Sequence, residues 1–129
     1  MTPELMALTL AALLQVLQFC AYSITSIAQV GVHKAAGPRD KSIELTGTAG
    51  RLQRAMNNHF EGLILFGIAC TVLTLSGEAT PYTALLAYTY LAARVLYIPA
   101  YYFGWRPWRS VIWFVGFLAT TAMLLAAIV

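Results

Sequence analysis

Four runs of apolar sequence, each long enough to cross a bilayer, take up most of this chain of 129 residues. They cover about 5–32, 51–76, 82–103 and 109–129, against the roughly 20 residues one helical crossing needs. Between them lie breakers: Gly37-Pro38, Gly47 and Gly50 in the first connection, Gly77 to Pro81 in the second, and Gly104 to Pro107 in the third. The spacing predicts one domain over residues 1–129, an all-α integral membrane four-helix bundle. Composition closes off the alternatives. The chain is 60% hydrophobic and 10% charged, where soluble domains run at about 45–50% and about 25%. Disorder would need the opposite balance.

The net charge of +3 comes from eight Lys and Arg against five acids. The basic residues gather at loops and helix ends, which reads as topology rather than nucleic-acid binding. Lys34, Arg39, Lys41, Arg51 and Arg54 mark the first connection, and Arg106 and Arg109 the third. The positive-inside rule places both in the cytoplasm and both termini on the other side. Trp105, Trp108 and Trp113 near the basic side are expected as interfacial anchors. The first run carries Glu4 and no basic lead, so a retained span is expected rather than a cleaved leader. Pro99 should kink the third span near its end.

The informative residues are polar groups inside spans, because an ionisable side chain in a bilayer is costly and normally faces protein. At about 100° per residue, Arg51, Arg54, Asn58 and Glu61 share an arc of roughly 80° on the second span. Tyr90, Arg94, Tyr97 and Tyr101 share roughly 60° on the third. Glu61 lies about 15 Å in from Arg51, and Arg94 about 14 Å in from Phe103 on the same side. The two levels match, so a Glu61–Arg94 ion pair is expected, within a subunit or across an interface. With Arg106 and Arg109, the basic groups form an electropositive pocket suited to an anionic ligand or a developing thiolate. His59 falls off the stripe and reads as structural, and no metal ligand set is present at helical spacing. Cys20 and Cys70 both lie in apolar runs and are expected as buried free thiols.

These residues carry a family resemblance. Arg51-x-x-Arg54-Ala-x-x-Asn58-x-x-Glu61-x-x-x-x-Phe66 resembles the second-helix signature of the MAPEG family, the membrane-associated proteins in eicosanoid and glutathione metabolism. Ala93-Arg94-x-x-Tyr97-x-x-x-Tyr101 is similar to the third-helix motif, and Gly37-Pro38-Arg39-Asp40 to a first-loop motif of bacterial members. The resemblance implies a homotrimer in a bacterial inner membrane, with glutathione bound at subunit interfaces near the cytoplasmic face. By position, Arg54, Asn58, Glu61 and Tyr97 would hold glutathione, with Arg51 and Tyr101 beside them. The thiolate-stabilising role would fall to Arg109 or Arg106. Gly62 stands where the eicosanoid enzymes carry Tyr, and His33 and Lys34 where they carry an Arg, which points away from leukotriene synthesis.

The expected function is a membrane glutathione transferase, with peroxide reduction as a related activity. It would activate a glutathione thiolate for attack on a lipophilic electrophile delivered by membrane lipids. Glutathione would be a co-substrate, with no metal. The rival reading is a non-catalytic member: an accessory subunit, or a lipid- or ligand-binding scaffold of a membrane complex. Retained assembly without glutathione binding would mark that rival.

Overall fold

The computed structural model describes residues 1–31, 45–104 and 106–129. Among the described residues four helices follow one another: α1 Pro3–Val30, α2 Gly47–Ser76, α3 Pro81–Tyr102 and α4 Trp108–Ile128. Their ends follow local chemistry. The Thr2 hydroxyl caps α1 by accepting from the Leu5 amide, with Pro3 in the first helical position. Thr80 and Thr83 form a reciprocal capping box at the start of α3. Gly77, at φ +75°, ends α2 in the left-handed conformation that favours glycine, and the Glu78 amide bonds back to the Leu73 carbonyl at 3.1 Å. Pro99 sits inside α3, three residues before its last residue. The motif Gly37–Asp40, with His33, Lys34 and Trp105, lies outside the described residues.

Three helices, α1, α2 and α4, are long and apolar enough to cross a membrane. The 22-residue α3 does not reach that hydropathy, because it carries Arg94 and six tyrosines. The tightest packing joins α1 to α2 and α3 to α4, so the chain folds as two helical hairpins. The hairpins meet through α1–α3, α2–α4 and α2–α3 contacts, and the described parts of α1 and α4 do not touch.

Small residues make the close approach possible. Ala7 and Ala11 of α1, Ala69 and Cys70 of α2, Ala87 of α3 and Ala119 of α4 are buried in one core. At its centre Phe66 stacks on Tyr90, with ring centres 3.9 Å apart and planes 14° from parallel. The outside is the reverse of a soluble protein: Leu13, Leu17, Ile24, Ile64, Leu85 and Leu118 are all exposed. Such a surface belongs against lipid or another chain.

Two polar ties join the ends. The Gln29 amide donates to the Thr46 carbonyl at 2.8 Å, and its oxygen accepts from the Thr46 amide at 3.0 Å. At the opposite end Glu4 is 1% exposed and accepts from the Thr83 hydroxyl at 2.8 Å. Both cysteines are free, as expected, but only Cys70 is buried. Cys20 lies on the outer face of α1, a correction that follows from its helical position rather than from the apolar run around it.

Candidate functional site

The end of the bundle that holds the first turns of α2 and α4 gathers the cations. The Arg54 Nε donates to the Tyr101 hydroxyl at 2.9 Å. The Arg109 guanidinium carbon lies 5.0 Å from the centre of the same ring, and that of Arg54 5.9 Å. One tyrosine is thus flanked by two cations through its polarised π face. Arg51 donates to the Tyr102 carbonyl at 3.4 Å, and Thr48 and Tyr102 hydroxyls lie 3.4 Å apart. Arg106 lies exposed in the turn before α4.

Two cavities lie against this cluster. The outer one, of about 220 Å³, is lined by Asn58, Tyr97, Arg109, Ser110 and Trp113. The inner one, of about 230 Å³, has Asn58, Glu61, Tyr90, Arg94, Trp113 and Phe117 among its walls. Asn58 and Trp113 border both. Asn58 and Glu61 of the α2 arc and Tyr90, Arg94 and Tyr97 of the α3 arc therefore border adjoining spaces between the hairpins, whereas Arg51, Arg54 and Tyr101 line neither.

The helix arcs differ in what they face. On α3, Tyr90, Arg94 and Tyr97 are buried, in line with expectation. On α2, Arg51, Arg54 and Glu61 are exposed in the single chain, and only Asn58 is half-buried. The expected Glu61–Arg94 ion pair does not form within the chain. Both line the inner cavity, yet Glu61 stays on its open side. The Arg94 guanidinium lies inward over the Tyr97 ring, at 4.6 Å. Among the described residues, Arg94 Nε and Nη2, the Tyr90 hydroxyl and Asn58 Oδ1 are buried without a hydrogen-bond partner.

His59 is 1% exposed and its Nδ1 lies 2.6 Å from Gln15 Oε1, which fits the structural role read from its position. Among the described residues no cluster of His, Cys, Asp and Glu could hold a metal. Beyond the expected Arg109, α4 contributes residues that the sequence analysis did not single out as site residues. Trp113, expected as an interfacial anchor, also walls both cavities, with Ser110 beside it in the outer one and Gly116, Phe117 and Thr120 in the inner one. The spacing Arg109, Trp113, Gly116, Thr120 repeats at four, three and four residues, the signal of one helix face.

A search of curated proteins and a search of solved structures both returned no match. Comparison with family models gave one for the MAPEG family, matching residues 4–129. That covers all four helices, the arginine–tyrosine cluster and both cavities, so the apolar outer surface is that of an integral membrane protein. The chain belongs to the MAPEG family.

Proposed function

We propose that the chain is a membrane glutathione transferase that activates the glutathione thiol at the cation-rich end of the bundle. The observation that carries this reading is the placement of Arg109 and Tyr97 on one cavity wall, with Asn58 across from them and Arg54 linked through Tyr101. A guanidinium beside a thiol favours the thiolate, which is the nucleophile. Arg109, at the second position of α4 and in the cavity wall, serves that role better than Arg106, which lies exposed in the turn. Arg54, Asn58, Glu61 and Tyr97 offer donors and acceptors to a peptide with carboxylates and an amino group, with Arg51 and Tyr101 at the rim. The thiolate sulfur then bonds to the electrophilic carbon of a lipophilic substrate, and the leaving group departs with the electron pair of the broken bond.

The exposed flank of α2 supports assembly with further copies of the chain, and membership of the family supports a homotrimer. Arg51, Arg54 and Glu61 would be costly against lipid, and a second copy of the chain covers them and completes the site. With α3 sheltered by its neighbours, all four helices span the membrane. The basic end is then cytoplasmic and both termini lie on the far side of a bacterial inner membrane.

The test is thiolate formation. Glutathione is added to the detergent-purified protein at neutral pH, and the ultraviolet thiolate band is followed. A saturable band that is lost in Arg109→Ala is the expected result. No band from a folded, assembled protein would overturn the reading in favour of a scaffold or accessory subunit.

A further inference from the structure

A further opening lies on the side of α4 away from the thiol site. Arg109, Trp113, Gly116 and Thr120 turn one face of that helix toward the two cavities. Val111, Ile112 and Val115 are centred about 120° around the helix from that face. They wall a groove of about 290 Å³ between α4 and α3. The other wall is Thr89, Ala92, Ala93 and Leu96, whose spacing of three, one and three residues is a single face of α3. Alanine at 92 and 93 is too short to fill the space across from the branched side chains of α4. The Thr89 hydroxyl donates to the Leu85 carbonyl at 2.8 Å, so the wall is apolar throughout. Ala92, Leu96, Val111 and Val115 are exposed, and the groove opens onto the outer surface of the bundle.

Depth and charge narrow the occupant. Leu96 and Thr89 lie about 10 and 21 Å along α3 from Phe103 at the rise of a helix, so the groove sits in the half of a hydrocarbon core about 30 Å thick that is nearer the basic end. Toward that end the groove face of α4 continues to Trp108, three residues before Val111 and 62% exposed. Arg106 stands just beyond it, exposed in the turn. Arg109 serves the thiol cavity, and Arg106 has no part in it. From Pro81 to Val129 the sequence holds three arginines and no acid, so no carboxylate of this hairpin offsets Arg106. An apolar groove, then an indole, then a guanidinium is the polarity order of a phospholipid read from chain to ester to phosphate.

We propose that the α3–α4 groove seats one acyl chain of an anionic phospholipid, with the phosphate held by Arg106 and the ester region against Trp108. A guanidinium can give two parallel N–H groups to two phosphate oxygens, which suits Arg at this place. A zwitterionic headgroup fits less well, because its own cation opposes Arg106. The site is separate from the thiol cavities and stands whether or not the chain is a transferase.

The experiment is native mass spectrometry of the full chain, delipidated in detergent and titrated with phosphatidylglycerol or with phosphatidylcholine of the same acyl chains. The wild type should bind its first phosphatidylglycerol about five-fold more tightly than its first phosphatidylcholine. Arg106→Gln should remove that preference. Ala92→Trp fills the groove from an exposed position and should weaken the binding of phosphatidylglycerol about five-fold or more. Leu75→Trp, exposed near the far end of α2, should leave it unchanged. Equal binding of the two lipids by the wild type, or wild-type binding by Ala92→Trp, would overturn the proposal. A preference that survives in Arg106→Gln places the headgroup elsewhere and overturns it too. The same spectra count the chains in each particle, and a count that changes in Ala92→Trp would make the groove a contact between copies instead. If Ala92→Trp does not fold, Val115→Trp, on the opposite wall, decides.

Discussion

Glu4 offers the sharpest stability test, because hydrogen bonding and charge make different predictions there. The carboxylate is 1% exposed, Oε1 accepts from the Thr83 hydroxyl at 2.8 Å, and Oε2 has no partner among the described residues. It lies in the first turn of α1 and touches the third residue of α3, so two helix N-termini face it. A hydrogen bond to a charged group contributes about 1.5–3 kcal/mol, and each helix end about 0.3–1 kcal/mol. Desolvating the carboxylate opposes these by several kcal/mol. Glu4→Gln keeps an oxygen for Thr83 and removes the buried charge, so the losses and the relief nearly cancel. Its stability should stay within about 1 kcal/mol of wild type. Glu4→Ala loses the bond and leaves a gap, although Thr83 keeps its second acceptor, the Thr80 carbonyl at 2.9 Å. It should lose about 2–4 kcal/mol. Unfolding by increasing mole fraction of sodium dodecyl sulfate in mixed micelles, followed by circular dichroism, gives both values. If Glu4→Gln falls as far as Glu4→Ala, the negative charge holds the helix ends together and the hydrogen-bond account is refuted.

Three further outcomes follow from the geometry. His59→Ala removes the buried partner of Gln15 and should lower stability by about 1–3 kcal/mol in the same micelle titration; a variant as stable as wild type would count against the pair. Tyr101→Phe removes the hydroxyl that accepts from Arg54 but leaves the ring under Arg109, so glutathione should bind about three- to ten-fold more weakly by isothermal titration. Unchanged affinity there would separate Tyr101 from the site. A lipophilic maleimide should modify Cys20 in the folded protein and reach Cys70 only after unfolding, and mass spectrometry of the two peptides would show early Cys70 labelling if the core packing is wrong.

The helices were legible because their limits are written locally. Thr2-Pro3, Thr80-Pro81 and Gly77 are caps and stops that act within a few residues, so the observed ends fall close to the expected ones. The arc on α3 was legible for the same reason, since helical spacing alone puts Tyr90, Arg94 and Tyr97 together. What faces an arc is a tertiary matter. Spacing gave Glu61 and Arg94 equal depth but could not tell that α3 turns its arc inward while α2 leaves its own on an open flank. Glu4 shows the limit most plainly: nothing in its local sequence marks it as buried, and only the packing of α1 against α3 encloses it. Trp113 carried an ambiguous signal, because an aromatic near a basic end suits an interface as well as a cavity wall. The Phe66–Tyr90 stack that seats the unpartnered hydroxyl brings together residues from different helices, which no single-helix pattern displays.

The two-hairpin construction has a consequence for how occupancy and assembly are coupled. Asn58 and Glu61 belong to the first hairpin, whereas Tyr90, Arg94, Tyr97, Arg109 and Trp113 belong to the second. Each cavity therefore exists only while the hairpins are docked, and anything seated there bridges the joint. By mass action such an occupant stabilises the docked state by an amount that grows with the logarithm of its concentration over its Kd. A chain severed between Gly77 and Thr80 would turn that dependence into a readout, with reassociation of the two halves reporting ligand directly.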